Sequence, residues 1–375
     1  MAAGARGSYP GAQHVRPFPP TTGAMSDRRI PAAAVPLLFA CAAAAACREA
    51  PPAGDARVFD APARRLEIVA DENGPADAVV GRVVAARVTE GGRHVVVLDF
   101  APPYVKVFDS KGRFVRAFLR SGGGPGEALH PVALAASGDT AIFVADVSGR
   151  LMVFGMDGRL RHEATETRTR VLAATAGCAG DWVVYGPRAG SGAHPPTWLH
   201  RVRVGTGGTM VSRDLLPDSL ASDRLPMGIA YGLVSDGRRV RALHTLGAAP
   251  VLATWGCGDA AARLASHDIP GRERRAAAQR RGDRARLEIA PGSRSRGGMA
   301  AVAGGVVIAE LVVGRPPTTE LTLLRDDGTR RTAAVQGDYV IRDSRPGVGV
   351  LVSSTDPVPR LFLVSEADLL ALFAP

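Results

Sequence analysis

Two aspartates, Asp99 and Asp146, end two similar apolar segments of the chain, residues 94–99 and 141–146. Carboxylates that converge from repeated elements could hold a divalent cation, because such ions prefer oxygen ligands. The alternative is that each aspartate caps the turn after its own strand by accepting hydrogen bonds from backbone amides. Since the two aspartates recur together with their turns, the turn-capping interpretation is favoured.

The segment 121–127, Ser-Gly-Gly-Gly-Pro-Gly-Glu, is a second place where the residue types could do chemistry. Glycine-rich loops can bind phosphate through backbone N–H groups, but this one lacks the Lys-Ser/Thr ending of a P-loop. Pro125 also removes one backbone donor. A tight connection between two elements, where glycine is needed for a positive φ, is therefore the favoured interpretation.

The rest of the sequence contains no motif that is typical of a catalytic site. The seven histidines beyond residue 90 have neither His-x-His nor His-x-x-x-His spacing, the signs of a local metal site. No nucleophile-elbow sequence is present. The single asparagine, Asn73, provides little for a mixed carboxylate-and-amide metal site. We therefore predict no catalytic residue, no metal ligand and no cofactor.

The formal net charge of +10 comes almost entirely from arginine, because Lys106 and Lys111 are the only lysines. Residues 1–47 carry a net charge of +3 and residues 270–298 carry +6, so the remainder of the chain is close to neutral. A nucleic-acid-binding protein should instead show a basic face with aromatic or amide side chains. The charge therefore does not predict a nucleic-acid partner.

Residues 25–47 are predicted to be an export signal. A charged start, Met25 to Arg29, precedes an apolar stretch that ends in Ala-Ala-Ala-Cys47, the order found in bacterial lipoprotein signal peptides. The apolar stretch is shorter than a transmembrane helix usually is. Cys47 is the favoured lipid-attachment residue and Cys41 is the alternative; an ordinary cleaved signal peptide is a third interpretation.

The flanking segments divide the chain further. Residues 1–24 are interpreted as a start-site artefact or a disordered segment, and residues 48–63 as a linker leading away from the membrane. Residues 64–375 are predicted to fold. Within them, Cys178 and Cys257 are a candidate disulfide in an oxidising compartment, although two separate thiols are the favoured alternative.

A repeat of strands is the strongest pattern in the sequence. Residues 104–118 alternate apolar and polar side chains like two strands joined by a turn that contains Gly112. The phenylalanine and glycine of this hairpin recur 46 positions later, and Asp99 recurs 47 positions later as Asp146. Weaker copies follow at 181–208, 239–255, 305–328 and 348–364.

Six units of roughly 40 to 50 residues, each with three or four strands, predict an all-β fold, a six-bladed β-propeller. The early strand at 66–70 precedes the first full unit. We expect it to be the outer strand of the last blade, because sharing one sheet between the two ends of the chain closes the ring and removes sheet edges.

The stretch 83–130 resembles the six-bladed, NHL-like β-propeller proteins common among bacterial lipoproteins. Their recurrent pattern is an aspartate-ended strand, a hairpin of the form Val-Phe-Asp-x-x-Gly-x-Phe, and a Gly-Pro-Gly-Glu element leading to a proline. Here these are Asp99, residues 107–114, residues 124–127 and Pro131. The resemblance implies propeller architecture and export, and it implies no activity.

On these grounds we expect a non-catalytic binding or scaffold module, anchored by lipid to a bacterial membrane and facing the periplasm or the cell surface as a monomer. An envelope protein or glycan would be its partner. Arg120, Glu127 and His130 are the candidates for contacting that partner at the mouth of the central channel. The alternative is a metal-dependent enzyme of the lactonase or lyase kind, in which several Asp, Glu, His or Asn side chains would converge in the channel.

Overall fold

The structure is a computed structural model of the chain. It describes residues 59, 64–69, 75–165, 170–177, 180–188, 197–204, 210–214, 232–246, 249–256, 263–268, 279–281, 284–286, 294–312, 314, 316–355 and 359–374. The predicted export signal with Cys41 and Cys47, and the cysteine pair Cys178 and Cys257, lie outside these residues.

Most of the described residues lie in strands. In chain order the strands are β1 (Arg64–Val69), β2 (Val83–Val88), β3 (His94–Asp99), β4 (Val105–Asp109), β5 (Phe114–Phe118), β6 (Arg120–Ser121), β7 (Glu127–Ala128), β8 (Pro131–Ser137), β9 (Ala141–Asp146), β10 (Arg150–Gly155), β11 (Leu160–Thr165), β12 (Ala173–Ala176), β13 (Trp182–Arg188), β14 (Thr197–Val204), β15 (Met210–Asp214), β16 (Gly232–Ser235), β17 (Arg239–Leu246), β18 (Ala249–Gly256), β19 (Arg263–Asp268), β20 (Gln279–Arg281), β21 (Arg284–Arg286), β22 (Arg294–Val302), β23 (Gly305–Val312), β24 (Thr318–Arg325), β25 (Arg330–Gln336), β26 (Val340–Arg345), β27 (Gly349–Ser354) and β28 (Arg360–Val364).

Among the described residues, these strands form six four-stranded antiparallel sheets, which we number as blades. Blade 1 is β2–β5, blade 2 is β8–β11, blade 3 is β12–β15, blade 4 is β16–β19, blade 5 is β22–β25, and blade 6 is β26–β28 with β1. Two short pairs, β6 with β7 and β20 with β21, lie outside the blades.

The first strand of each blade lies at the centre of the molecule. Each of the strands β2, β8, β12, β16, β22 and β26 contacts the first strand of the next blade, and β26 contacts β2. The blades therefore close into a ring around a central channel, which confirms the predicted six-bladed β-propeller.

Strand β1 closes the ring from the other end of the chain. It pairs antiparallel with β28 and forms the outer edge of blade 6, with Glu67 opposite Phe362. This confirms the prediction that an N-terminal strand completes the last blade. Phe59, within the predicted linker, is also buried in this blade, and its ring stacks on Tyr339 at a centroid distance of 4.4 Å.

The blades are apolar on both faces because each is sandwiched between two neighbours. In β3, Val96 and Leu98 join the cluster shared with blade 2, whereas Val95 and Val97 join the cluster shared with blade 6. Successive side chains of a strand point to opposite faces, so the continuous apolar run fills both junctions. Within the described residues, six such clusters fill the six junctions between blades.

The chain ends in a short helix, α1 (Glu366–Ala371), that the sequence analysis did not predict. The Ser365 side chain caps it by accepting a hydrogen bond from the Asp368 N–H, and Leu369 is buried against blades 5 and 6. In the described part of the chain, neither this helix nor any other is long and apolar enough to cross a membrane.

Candidate ligand-binding mouth and channel

Asp99, at the end of β3, fixes the entry of the chain into blade 1. Its carboxylate accepts hydrogen bonds from the backbone N–H groups of Gly81 at 2.9 Å and Arg82 at 3.0 Å, just before β2. It also accepts one from the N–H of Phe100 in its own turn. The buried Lys106 ammonium pairs with the same carboxylate, in an ion pair shielded from solvent. Asp99 thus joins two strands and the connection that precedes them.

Asp146 repeats this arrangement at the end of β9 in blade 2. It accepts hydrogen bonds from the N–H groups of Leu129 at 2.9 Å and His130 at 2.7 Å, just before β8, and from Ser148 in its own turn. Burial raises the pKa of Asp146, but the hydrogen bonds from Ser148, His130 and Leu129 outweigh it, so the pKa is lowered overall. The ionised carboxylate is therefore the form that the fold stabilises.

Glu127 holds the glycine-rich connection between blades 1 and 2 together. Its carboxylate accepts a hydrogen bond from the Gly124 N–H at 2.8 Å, and its own N–H donates to the Gly124 oxygen at 3.1 Å. Gly122 has a φ of +157°, which other residues rarely adopt, and a Cβ here would displace the Glu127 carboxylate. Arg120 is exposed, and its backbone pairs with Glu127 in the short parallel ladder of β6 and β7.

A cavity of about 650 Å³, which we call the mouth cavity, opens where β2 and β8 begin. Residues of blades 1, 2 and 6 line it, and those that the structure describes include neither aspartate nor glutamate. The side chains that could contact a ligand are two aromatic rings, three basic groups and three hydroxyls: Phe100, Tyr104, Arg82, His130, Arg342, Ser353, Ser354 and Thr355.

Arg342 carries the positive charge at the base of the mouth cavity. Its Nε donates a hydrogen bond to Ser353 Oγ at 2.7 Å, and its two terminal nitrogens have no hydrogen-bond partner among the described residues. Burial, with a smaller contribution from the charge of Arg87, lowers the pKa of Arg342 to about 10. The guanidinium therefore remains protonated at neutral pH.

Phe100 and Arg82 form the rim of the cavity. Phe100 is 64% exposed although it is a large apolar residue. The Arg82 guanidinium carbon lies 5.4 Å from the centre of its ring, within the range of a cation–π interaction. Because Asp99 holds the backbone N–H groups of both residues, the rim is fixed by the fold.

The hydroxyl side of the mouth cavity is oriented from behind by Asp338. The carboxylate accepts hydrogen bonds from the hydroxyls of Ser354 and Thr355, and from the Thr355 N–H at 2.9 Å. Since the Thr355 hydroxyl donates its proton to Asp338, its oxygen can accept a hydrogen bond from a ligand.

A second cavity of about 230 Å³, the channel cavity, lies along the inner strands of all six blades. Arg342 lines both cavities and so stands between them. Most other side chains here are aliphatic, contributed for example by Leu134, Leu172 and Met299. Among the described residues that line this cavity, the charged side chains are therefore arginines.

Two further arginines bridge inner strands across the channel; with Arg342 they make up what we call the arginine layer. Arg87 in blade 1 donates to the Ala174 oxygen in blade 3 at 2.8 Å. Arg345 in blade 6 donates to the Val88 oxygen in blade 1 at 3.1 Å and to the Ala136 oxygen in blade 2 at 2.9 Å. In this layer, Arg87 and Arg345 are bound to backbone carbonyls, whereas Arg342 is bound to the Ser353 hydroxyl.

Asp343 is the carboxylate that faces these cations. It accepts a hydrogen bond from the Val88 N–H at 2.9 Å and lies 3.8 Å from Arg345 Nε. Burial lowers the pKa of Arg87, an effect that the charge of Asp343 opposes and the charge of Arg345 reinforces. The charges of Arg87 and Arg345 together exceed that of this one carboxylate, so the group carries a net positive charge that disfavours a bound cation. In the described residues, no three His, Cys, Asp or Glu side chains meet so that they could hold a metal ion.

The three residues predicted to contact a partner lie in two different places. His130 lines the mouth cavity, whereas Arg120 and Glu127 are not among the described residues that line it. Sequence reasoning missed Arg82, Phe100 and Arg342. An apolar residue directly after an aspartate-ended strand was a usable signal for Phe100, but Arg342 shows no local pattern.

Comparisons with known proteins reveal remote structural similarity only. No family model and no curated protein matches the chain. The Cps50 (Swd1) β-propeller domain of Myceliophthora thermophila is 15% identical, covers 80% of this chain and 99% of its own, and has a TM-score of 0.46. A Bacteroides fragilis protein provisionally named as exported is 11% identical over 72% of this chain and 75% of its own, with a TM-score of 0.46. U3-55K is 10% identical over 80% of this chain and 98% of its own, with a TM-score of 0.42. The propeller assignment rests on the strand topology itself.

Proposed function

We propose that this protein is a non-catalytic binding module of the bacterial cell envelope and that its ligand occupies the mouth cavity. The observation that carries the proposal is the cavity of about 650 Å³, with the exposed ring of Phe100 at its rim and the guanidinium of Arg342 at its base. Concave sites with apolar walls and a few fixed polar groups are the usual form of a ligand site.

The carboxylates beside the mouth cavity favour binding over catalysis. Asp99 is committed to Lys106 and to three backbone N–H groups. Asp338 is committed to Ser354 and Thr355. Neither group is arranged to exchange a proton with a substrate, because a general acid or base needs direct access to the reacting atom.

The place of action is proposed from residues 25–47, which have the order of a lipoprotein signal peptide. Attachment of lipid at Cys47 would leave residues 48–63 between the membrane and the first strand of the propeller. The mouth could then face the periplasm or the cell surface.

Metabolic labelling with a radioactive fatty acid in a bacterial host tests the anchor. The wild type should be labelled and should sediment with membranes, and Cys47→Ser should abolish both. Cys41→Ser, the matched control, should be labelled normally. Labelling that persists in Cys47→Ser and disappears in Cys41→Ser would move the anchor to Cys41, and an unlabelled wild type would overturn the proposed anchor.

A substitution that fills the mouth cavity tests the site. Val132 lines the cavity, so Val132→Trp should block it. Val115→Trp adds the same bulk on the exposed outer strand of blade 1 and is the control. On an immobilised glycan array, signals of the wild type should persist in Val115→Trp and be lost in Val132→Trp. Equal signals from all three proteins would show that the mouth cavity is not the site.

A further inference from the structure

We propose that the ligand of the mouth cavity is an acidic saccharide, whose carboxylate or phosphate group is bound by Arg342 and whose sugar ring lies against Phe100. This inference rests on the proposed function of the mouth cavity as a ligand site. It adds the chemical class of the ligand.

The binding of an acid follows from the way Arg342 is held. Its Nε is occupied by Ser353, so the side chain is fixed, while the two terminal nitrogens have no partner among the described residues. A fixed guanidinium fork matches the geometry of a carboxylate or phosphate and donates two parallel hydrogen bonds.

The arginine layer strengthens the preference for an anion. Arg87 lies close enough to lower the pKa of Arg342, and Arg345 lies beyond it. Asp343 balances part of this charge from its position beside Arg345. The remaining positive charge is buried in a region of low dielectric. Its electrostatic attraction for a bound anion is therefore stronger than it would be at the protein surface.

The binding of a sugar ring follows from the groups around the anion site. Phe100 is 64% exposed, so the apolar C–H face of a pyranose can pack against the part of the ring that Arg82 does not cover. The Thr355 oxygen can accept a hydrogen bond from a sugar hydroxyl, because its own proton is donated to Asp338. A simple inorganic anion would use only Arg342 and leave these groups without a role.

Matched pairs of ligands distinguish the contribution of the acidic group to the affinity from that of the sugar ring. The probes are glucuronate-, galacturonate- and N-acetylmuramate-containing oligosaccharides, their methyl esters, the corresponding sugar phosphates, and free acetate and phosphate. Isothermal titration calorimetry of the wild type should show an acidic saccharide binding about 10- to 100-fold more tightly than its methyl ester. Acetate and phosphate should bind at least about tenfold more weakly than that saccharide, since they lack the ring contacts.

Variants of the protein test which residues bind the acidic group and which bind the sugar ring. Arg342→Gln should remove the preference for the acid over the ester, whereas Phe100→Ala should weaken both about equally. Arg82→Gln, at the exposed rim, is a second charge variant in case Arg342→Gln does not fold, and it should reduce the preference partially. Arg116→Gln, on the exposed outer strand of blade 1, is the control and should bind like the wild type.

The outcomes distinguish this inference from the proposed function. If the methyl ester binds as tightly as the acid, and Val132→Trp still abolishes binding, the acidic class is wrong and the mouth site stands. If free phosphate binds as tightly as any saccharide, the sugar part is wrong. If Val132→Trp binds every probe like the wild type, the mouth cavity is not the site and both proposals fail.

Discussion

Arg345 Nη2 donates a hydrogen bond of 2.9 Å to the backbone oxygen of Ala136, although the two residues belong to blades 6 and 2, on either side of blade 1. The same guanidinium donates to Val88 in blade 1. One side chain thus joins three blades through backbone oxygens of the inner strands. Contacts of this kind hold the ring together at its axis.

Replacing Arg345 by methionine should therefore destabilise the whole propeller. Asp343 would lose its nearest cation while remaining buried, and two carbonyl oxygens would lose donors, at a cost of about 3 kcal/mol. Urea unfolding followed by tryptophan fluorescence measures this. Arg116→Met, at an exposed position of the outer strand of blade 1, should change stability by less than about 0.5 kcal/mol. Equal stability of the two variants would contradict the role of Arg345.

Asp99 should contribute more to the stability of the fold than Asp146, although the two residues occupy equivalent positions in blades 1 and 2. Asp99 neutralises the buried Lys106, whereas the structurally equivalent residue in blade 2 is the apolar Met152. Asp99→Asn leaves a buried ammonium without its counter-charge and should cost about 3 to 5 kcal/mol. Asp146→Asn loses only charge-assisted hydrogen bonds and should cost about 1 to 3 kcal/mol.

The double variant Asp99→Asn/Lys106→Met tests this explanation, because it gives blade 1 the apolar residue that blade 2 already has. It should recover part of the stability lost in Asp99→Asn, as measured by the urea midpoint. If it is no more stable than Asp99→Asn alone, the ion pair is not the cause of the difference.

Acid should weaken the fold through Asp146. Because hydrogen bonds hold its pKa in the folded state below the ordinary value of 3.8, ionisation of Asp146 favours folding above that value. The contribution is lost as the pH falls below about 3.8 toward the folded-state pKa. The free energy of unfolding should thus fall more steeply below about pH 4 in the wild type than in Asp146→Asn. Identical slopes would exclude Asp146 as a source of the pH dependence.

A comparison of Gly112 with Gly328 tests the contact between the β4–β5 hairpin of blade 1 and strand β1, which closes the ring. Both occupy hairpin turns with positive φ, +78° and +85°. A Cβ on Gly112 would overlap the backbone oxygen of Glu67 in β1, whereas a Cβ on Gly328 would meet nothing within 4 Å. Gly328→Ala should cost about 1 kcal/mol for its backbone conformation. Gly112→Ala should cost about 2 kcal/mol more, because β1 must move; equal costs in thermal unfolding would refute the contact.

The sequence was sufficient to predict much of the fold. The segments 94–99, 141–146 and 360–364 coincide with β3, β9 and β28, because continuous apolar runs that end in turn residues are typical of buried strands. The inner strands were not predicted individually. Some of them mix apolar with charged residues, as in β26 with Arg342 and Asp343.

The candidate site was much less predictable. Among the described residues, His130 lines the mouth cavity, whereas Arg120 and Glu127 belong to the connection between blades 1 and 2. The local sequence was sufficient to predict that the glycine-rich segment 121–127 is a tight connection between two elements. It could not show which of the polar side chains near that element face the channel.

By itself, the sequence determined the repeat, the strand pattern and the closing role of β1, because these depend on side-chain alternation and turn residues that are neighbours in the chain. Only the tertiary structure decided that Arg82, Phe100 and Arg342 share one cavity. Ring closure places residues some 250 positions apart side by side, as Arg87 and Arg342 are. No spacing along the chain encodes such a contact, because it arises from the position of each blade around the axis.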